Sequence, residues 1–472
     1  MNKRTKIIAT VGPVSSTAET LKSLAEAGVD VFRINFSHGD EESRDQFFQT
    51  IRQVESELGK PLAICGDLCG PKIRVGVING GKVQLQEGDE IIIQRETIDG
   101  SADRISTTLP ELIDVADRGQ TILLSDGRLR FEVLESSPPE QIRCRVMVGG
   151  ELSSGKGINL PETQMPVSAL TEKDRRDIQW IGQREFDYVA LSFVQNAENV
   201  LELRGLLDQS GSQAKIISKI EKPQALKDID AIIEASFGLM VARGDLGVEM
   251  ELPTVPIVQK MLAKKCQAAG IPCIIATEMM ESMIRSAIPT RAEVSDVANA
   301  VFDHTDAVML SAESAIGDYP VKTVTQMSRA VAAAEGFLDE YGGSDKVIYS
   351  EPKTAASVAA SINRITELQP LAAVVVLSRS GTSARLIAKN RPDCPIIAIS
   401  DDQTTLRRCC LFYGVIPYRV SRPAGTTELL EASVEICKSL ELAKSGDHIA
   451  VVSGYPLRMP GAANGIILQQ VM

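Results

Sequence analysis

Apolar runs alternate with amphipathic stretches through the first third of the barrel-forming sequence. KIIATVG is followed by TAETLKSLAEAG, VDVFRINFSH by a polar helix through residue 58, and PLAICGDL closes the series. Short continuous runs of Val, Ile and Ala suit parallel strands buried on both faces, and the stretches between them carry helical spacing. The rhythm stops near residue 70 and resumes at TEKDRRDIQWIGQREF, after which come DYVALSF, AKIISKIE, GLMVARGDL, PCIIATEMM and DAVMLSAES. Three runs before the gap and five after it make the inventory of a (β/α)8 TIM barrel, whose active site lies at the C-terminal ends of the strands. The catalytic domain is therefore expected over 1–69 and 167–342.

Residues 70–166 have another texture. KVQLQEGDEIIIQ, QTILLSDGRLRFEVL and QIRCRVMV alternate apolar with polar positions and are parted by Gly, Asp and Pro turns, which predicts an inserted small β-barrel domain. From 343 to 472 the strand–helix rhythm returns in AAVVVLSRSG, PIIAIS, VIPYRV and HIAVVSG, predicting a C-terminal open α/β domain.

Composition narrows the function. The 472 residues carry a formal charge of −12, which opposes binding to nucleic acid. The nine cysteines are odd in number, scattered and without CxxC spacing, so they are expected as reduced thiols. MNKRTKIIATVGP reaches Gly-Pro before a signal core forms, and no apolar run approaches the ~18 residues of a membrane span. A cytoplasmic protein without membrane contact is expected.

The polar residues that end the barrel strands suggest chemistry. Lys219 and Glu221, and likewise Arg33, Asn35 and Ser37, are spaced by two and so share a strand face. Barrel closure is expected to bring Arg33, Asp67, Lys219, Glu221, Asp245, Thr277 and Ser311 to one mouth. Such residues can simply pair with each other. Two carboxylates, Glu221 and Asp245, beside two cations, Lys219 and Arg33, also suit a divalent metal and a phosphate. Gly244, before Asp245, leaves the backbone open to a ligand's close approach.

The blocks TKIIATVGP, VFRINFSHG, GPKIR, SKIEK, MVARGDLGVE, ESMIRSAIPTRAEVSDVANAV and DAVMLS, in this order, resemble the pyruvate kinase family from end to end. The resemblance implies phosphoryl transfer from phosphoenolpyruvate to ADP, with Glu221 and Asp245 holding Mg2+ or Mn2+. It implies that Arg33 grips the phosphoryl group and that Lys219 stabilises both it and the enolate. Gly244, Asp245 and Thr277 would contact the substrate, and Thr277 and Ser311 would lie near a water-borne proton path to the enolate carbon. Asn35, His38, Arg74 and Lys156 would hold ADP, and the inserted domain, hinged at Gly70-Pro71 and in NLPETQMP, would act as a lid. The resemblance further implies a homotetramer and an allosteric sugar phosphate or nucleotide. SRSGTSARL, with Ser378, Ser380, Thr382 and Ser383 around a glycine at a helix start, is expected to hold the effector phosphate.

The chain departs from the family's common pattern at several places. Glu278 stands for a glutamine, Ser125 for the first acid of an Asp-Asp-Gly turn, Ala312 and Ser314 alter a Ser-Gly-Glu-Thr block, and Leu68-Cys69 replaces Thr-Lys. In many relatives Asn35, Ser37, Asp67 and a threonine at 68 would hold K+, with a glutamate at 72 close behind. Leu68 removes the hydroxyl and Lys72 supplies a fixed cation, so K+ is expected not to be required, with Lys72 facing Asn35 and Ser37. Two rivals stay open: a metal-assisted barrel acting on phosphoenolpyruvate or an enolate without a nucleotide, and a catalytically silent paralogue. Arg74, Lys156 and the inserted domain oppose the first, and the intact mouth residues oppose the second.

Overall fold

The computed structural model describes residues 3–163, 168–341, 353–457 and 463–472. Eight parallel strands close into a barrel: β1 (Lys6–Thr10), β2 (Val31–Asn35), β3 (Ala63–Asp67), β4 (Tyr188–Leu191), β5 (Lys215–Ile220), β6 (Gly238–Ala242), β7 (Cys273–Ala276) and β8 (Ala307–Leu310). Nearly every strand residue is buried, as the unbroken apolar runs required. The outward side chains, Ile7, Ala9, Phe32 and Ile34 among them, pack under the surrounding helices. These include α1 (Ala18–Ala27), α2 (Glu41–Leu58), α3 (Glu172–Gly182), α4 (Ala197–Gln209), α5 (Ile229–Ala235), α6 (Arg243–Glu249), α7 (Val255–Ala269), α8 (Arg291–Phe302) and α9 (Pro320–Tyr341). Reciprocal capping boxes at Asp40, Thr171, Asn196 and Thr290 fix where four of them start.

The insertion leaves the barrel undisturbed. Although the chain departs after β3, that strand still pairs with β4, Cys65 opposite Tyr188 and Asp67 opposite Ala190. The inserted domain is a curled six-stranded sheet with a separate two-stranded ribbon of residues 82–85 and 150–153. It has its own core around Ile91, Ile93, Phe131 and Ile142. Its two connections lie side by side: Arg74 bridges Gly157, and Val75 N–H donates to the Lys156 carbonyl at 2.8 Å. The expected second hinge, NLPETQMP, is described only as far as Thr163, and the junction expected at 342–343 also lies outside the described residues.

The C-terminal sheet has four parallel strands, β9 (Ala373–Leu377), β10 (Ile396–Ser400), β11 (Val415–Arg419) and β12 (His448–Ser453). A fifth, antiparallel strand, β13 (Gly465–Gln470), pairs with β12 and was not legible in the sequence. Among the helices here are α10 (Lys353–Leu368), α11 (Thr382–Asn390), α12 (Gln403–Cys409) and α13 (Thr426–Ser439).

This domain plugs the N-terminal floor of the barrel. Inward side chains such as Ile8, Val31, Tyr188, Met240 and Met309 form one apolar cluster with Leu386, Ile387, Leu411 and Phe412. Lys389, on α11, makes a fully buried ion pair of 2.7 Å with Asp306, just ahead of β8. With the floor closed, the barrel's open end is the opposite mouth. No helix among the described residues is long and apolar enough to cross a membrane. Eight of the nine cysteines are buried, and burial pushes the Cys65 thiol up to about 12, so it stays protonated.

Candidate active site

The mouth network is built from strand ends. Arg33, the third residue of β2, donates through Nε to Asp67 Oδ2 at 2.6 Å and through Nη1 to Thr10 Oγ1 at 2.8 Å. Asp67 ends β3 and is buried, and its other oxygen lies 3.2 Å from Lys219 Nζ. Burial opposes ionisation, but Arg33 and Lys219 hold this carboxyl below the usual range.

Lys219 is the hub. Its ammonium lies 2.9 Å from Glu221 Oε1 and donates to Ser192 Oγ at 2.7 Å. Burial works against the charge, yet Asp67 and Glu221 raise the pKa above the ordinary lysine value, so the group is a fixed cation. Glu221 also accepts from the N–H of Phe193 at 2.7 Å, and Phe193 adopts a left-handed φ of 55° to present it. Burial pushes the Glu221 carboxyl up, and the nearby charge of Asp245 adds to this.

Asp245 lies in the first turn of α6, where its charge faces the positive helix end. Two carboxylates close enough to repel, one buried and one 30% exposed, fit a divalent cation that would relieve their repulsion. Gly244 N–H donates to Thr277 Oγ1 at 2.7 Å, so the expected open backbone is engaged by the next loop. Thr277 holds a left-handed φ of 69°, and Glu278 follows at 55°. Arg243 grips the Thr277 carbonyl at 2.7 Å and is itself anchored by Asp296 at 2.6 Å. Ser311 has its N–H fixed by Glu313 at 2.7 Å, and the same buried carboxylate accepts from Met280 N–H at 3.2 Å. Glu313 thereby ties the loops after β7 and β8 together.

Asn35 is half-buried, and its Oδ1 accepts from Ser37 N–H at 3.0 Å. Leu68 is buried and contributes a carbonyl to Ser192 Oγ at 2.7 Å. Lys72 does not pair where it was expected: its ammonium reaches Asp245, at 3.6 Å. The turn at Gly70, with φ of 67°, swings the hinge away from the axis of β3 and carries Lys72 toward α6. His38 and Lys156 are exposed, and Arg74 donates to the Gly155 carbonyl at 2.9 Å within the hinge. No side-chain hydrogen bond or ion pair among the described residues joins these three to the mouth network.

In the C-terminal domain, Ser378 Oγ accepts from Gly381 N–H at 3.0 Å, Ser380 and Thr382 hydroxyls lie 3.1 Å apart, and Ser383 follows in the first turn of α11. Thr10, Ser192, Phe193, Arg243 and Glu313 were missed by sequence reasoning. None of them offers charge free for a ligand, since Arg243 is engaged by Asp296 and the Thr277 carbonyl and Glu313 by backbone N–H groups, and their places at strand ends are the signal that could have flagged them.

Comparison with known proteins gives one answer. Residues 2–324 match the family model described as pyruvate kinase, barrel domain, and residues 356–468 match pyruvate kinase, alpha/beta domain. The chain is 40% identical to pyruvate kinase of Methylorubrum extorquens, over 98% of this chain and 96% of that one. It is 39% identical to pyruvate kinase of Geobacillus stearothermophilus, over 98% and 80%. A crystal structure of a pyruvate kinase from Cryptosporidium parvum superposes with a TM-score of 0.92 at 33% identity, covering 100% of this chain and 96% of that one.

Proposed function

Since the chain belongs to the pyruvate kinase family, we propose that its mouth network transfers the phosphoryl group of phosphoenolpyruvate to ADP with Mg2+ or Mn2+, without K+. The observation that carries this reading is Lys219, locked between Asp67 and Glu221 at 3.2 and 2.9 Å beside Arg33. The enzyme is a phosphotransferase.

Glu221 and Asp245 would hold the divalent ion, which when bound supplies Lewis-acid polarisation of substrate oxygens. Arg33 commits Nε and Nη1 to Asp67 and Thr10, leaving Nη2 to meet a phosphoryl oxygen. Phosphoryl transfer passes through a loose transition state, so fixed charge and alignment supply most of the acceleration. Lys219 provides that charge to the phosphoryl group and to the enolate oxygen left behind. Its raised pKa suits a permanent cation rather than a proton donor. Proton delivery to the enolate carbon then falls to water ordered by the hydroxyls of Thr277 and Ser311.

ADP would lie under the lid against Asn35, His38, Arg74 and Lys156. Leu68 offers no side-chain oxygen to a monovalent ion, and Asp67 is already neutralised by Arg33 and Lys219, which supports turnover without K+. The hydroxyls of 378–383 at the start of α11 support an effector phosphate there, a sugar phosphate or nucleotide, and a homotetrameric assembly in the cytoplasm completes the reading. A coupled assay for pyruvate release from phosphoenolpyruvate, ADP and Mg2+ tests the core of it. Absence of ADP-dependent pyruvate would overturn the assignment.

A further inference from the structure

Glu249 ends α6, the helix whose first turn carries Asp245, and residues four apart on a helix share a face. It is only 3% exposed. A buried carboxylate is expensive unless it is paired or hydrogen-bonded, yet this one has no part in the chemistry above. Its Oε1 accepts from Asn159 Nδ2 at 2.8 Å, in the strand by which the chain leaves the inserted domain. Lys222 Nζ lies 3.8 Å away, and Oε2 is buried without a hydrogen-bond partner. Around it, residues of both lid connections, Lys72 and Asn159 among them, enclose with Lys222 a cavity of about 20 Å3. That is room for about one water, which would complete the coordination of Oε2.

Both lid connections are thus fastened to one short helix. Lys72, on the outgoing connection, pairs with Asp245, and Asn159, on the returning one, bonds Glu249. A cation bound at Asp245 would compete with the first fastening, whereas the second is out of its reach on the next turn.

We propose that Glu249 is a positioning residue that pins the returning lid strand to the helix bearing Asp245, so that lid placement and the orientation of Asp245 are set together. The proposal rests on the phosphoenolpyruvate–ADP reading. Its consequence is coupling: a lid without its pin seats ADP poorly and admits water. Water attack then diverts the phosphoryl group: the water oxygen joins phosphorus, the enol oxygen leaves with the bonding electrons, one of the water's protons stays on the inorganic phosphate and the other balances the proton taken up at the enolate carbon, giving pyruvate and inorganic phosphate and no ATP.

The test measures pyruvate and ATP in parallel at saturating phosphoenolpyruvate, ADP and Mg2+. One ATP per pyruvate from the unaltered enzyme establishes the underlying reading by itself; no ATP there would sink that reading and not this inference alone. Asn159→Ala and Glu249→Ala are expected to release pyruvate in excess of ATP and to raise the KM for ADP roughly tenfold, with a smaller change in kcat. Glu249→Gln keeps an acceptor oxygen for Asn159 and is expected to stay coupled. Asn159 lies outside the barrel core, so its variant remains informative if Glu249→Ala folds poorly. One-to-one stoichiometry with an unchanged KM for ADP in Asn159→Ala, or uncoupling in Glu249→Gln equal to that in Glu249→Ala, overturns the proposal.

Discussion

Lys72 Nζ stands 3.6 Å from Asp245 Oδ1, so a cation on the lid hinge touches an acid expected to bind metal. Both side chains are about one-third exposed, at 35% and 30%, so the pair itself contributes little to stability and can be broken by a ligand. Its value is electrostatic: the ammonium delivers a positive charge to the mouth from the protein itself. Activity is therefore expected to be the same with KCl and with a bulky-cation salt at equal ionic strength, a control that removes general screening. The double change Leu68→Thr with Lys72→Glu is expected to create a many-fold stimulation specific to K+. Strong K+ stimulation of the unaltered enzyme would refute the idea.

Lys219→Met keeps much of the side chain's bulk and removes its charge. The lost interaction develops mainly as charge moves to the enol oxygen, so kcat is expected to fall by at least ~10^2 while the KM for phosphoenolpyruvate changes little. Steady-state kinetics decide it, and a near-normal kcat rules out the role. Asp67 and Glu221 would be left facing each other, so thermal stability is expected to fall as well.

Gly244→Ala separates folding from ligand approach. A Cβ there would lie 3.4 Å from Thr277 Oγ1, an ordinary contact, and the backbone has no positive φ. Stability is expected to stay within ~1 kcal/mol of the parent. A ligand oxygen that approaches this backbone would meet the new methyl group, so the KM for phosphoenolpyruvate is expected to rise. Unchanged kinetics in a normally folded variant would remove Gly244 from the substrate site.

The barrel was legible because its strands are buried on both faces, and that burial writes itself as KIIAT, AICGD and CIIA. The charged mouth was legible too, since Arg33, Asp67, Lys219, Glu221 and Asp245 stand where strands end. Direction was harder to read. Whether Lys72 turns to Asn35 or to Asp245 depends on the Gly70 turn and the seating of the inserted domain, neither of which is a local property. Asn159 and Glu249 are 90 residues apart, and no periodicity links a strand in one domain with a helix in another. Strand β13 escaped because it is an antiparallel edge strand, half-exposed along its length, whose apolar run is only Ile466-Ile467-Leu468.

The base of the barrel offers a prediction about acid. Asp30, ahead of β2, accepts from Lys3 Nζ at 2.5 Å and from Ile7 N–H at 3.0 Å, with Lys6 Nζ at 3.8 Å. Burial favours the neutral acid, but Lys3 and Lys6 overcome it and lower the carboxyl to about 2. A group whose pKa is depressed on folding stabilises the fold above its unfolded value, near 4, and loses that contribution as pH falls toward its folded value. Burial also lowers the Lys3 pKa from its ordinary value, which offsets part of the gain at neutral pH. Asp30→Asn is accordingly expected to cost about 1–2 kcal/mol at pH 7, clearly less at pH 3, and almost nothing below pH 2. The sole tryptophan, Trp180, is 7% exposed on α3 and reports the barrel without interference from the other domains. Urea midpoints followed by its fluorescence are expected to draw together for parent and variant as pH falls from 7 to 3. A gap that stays constant over that range would mean that the amide group introduced by the variant, and not the loss of the Asp30 charge, sets its cost.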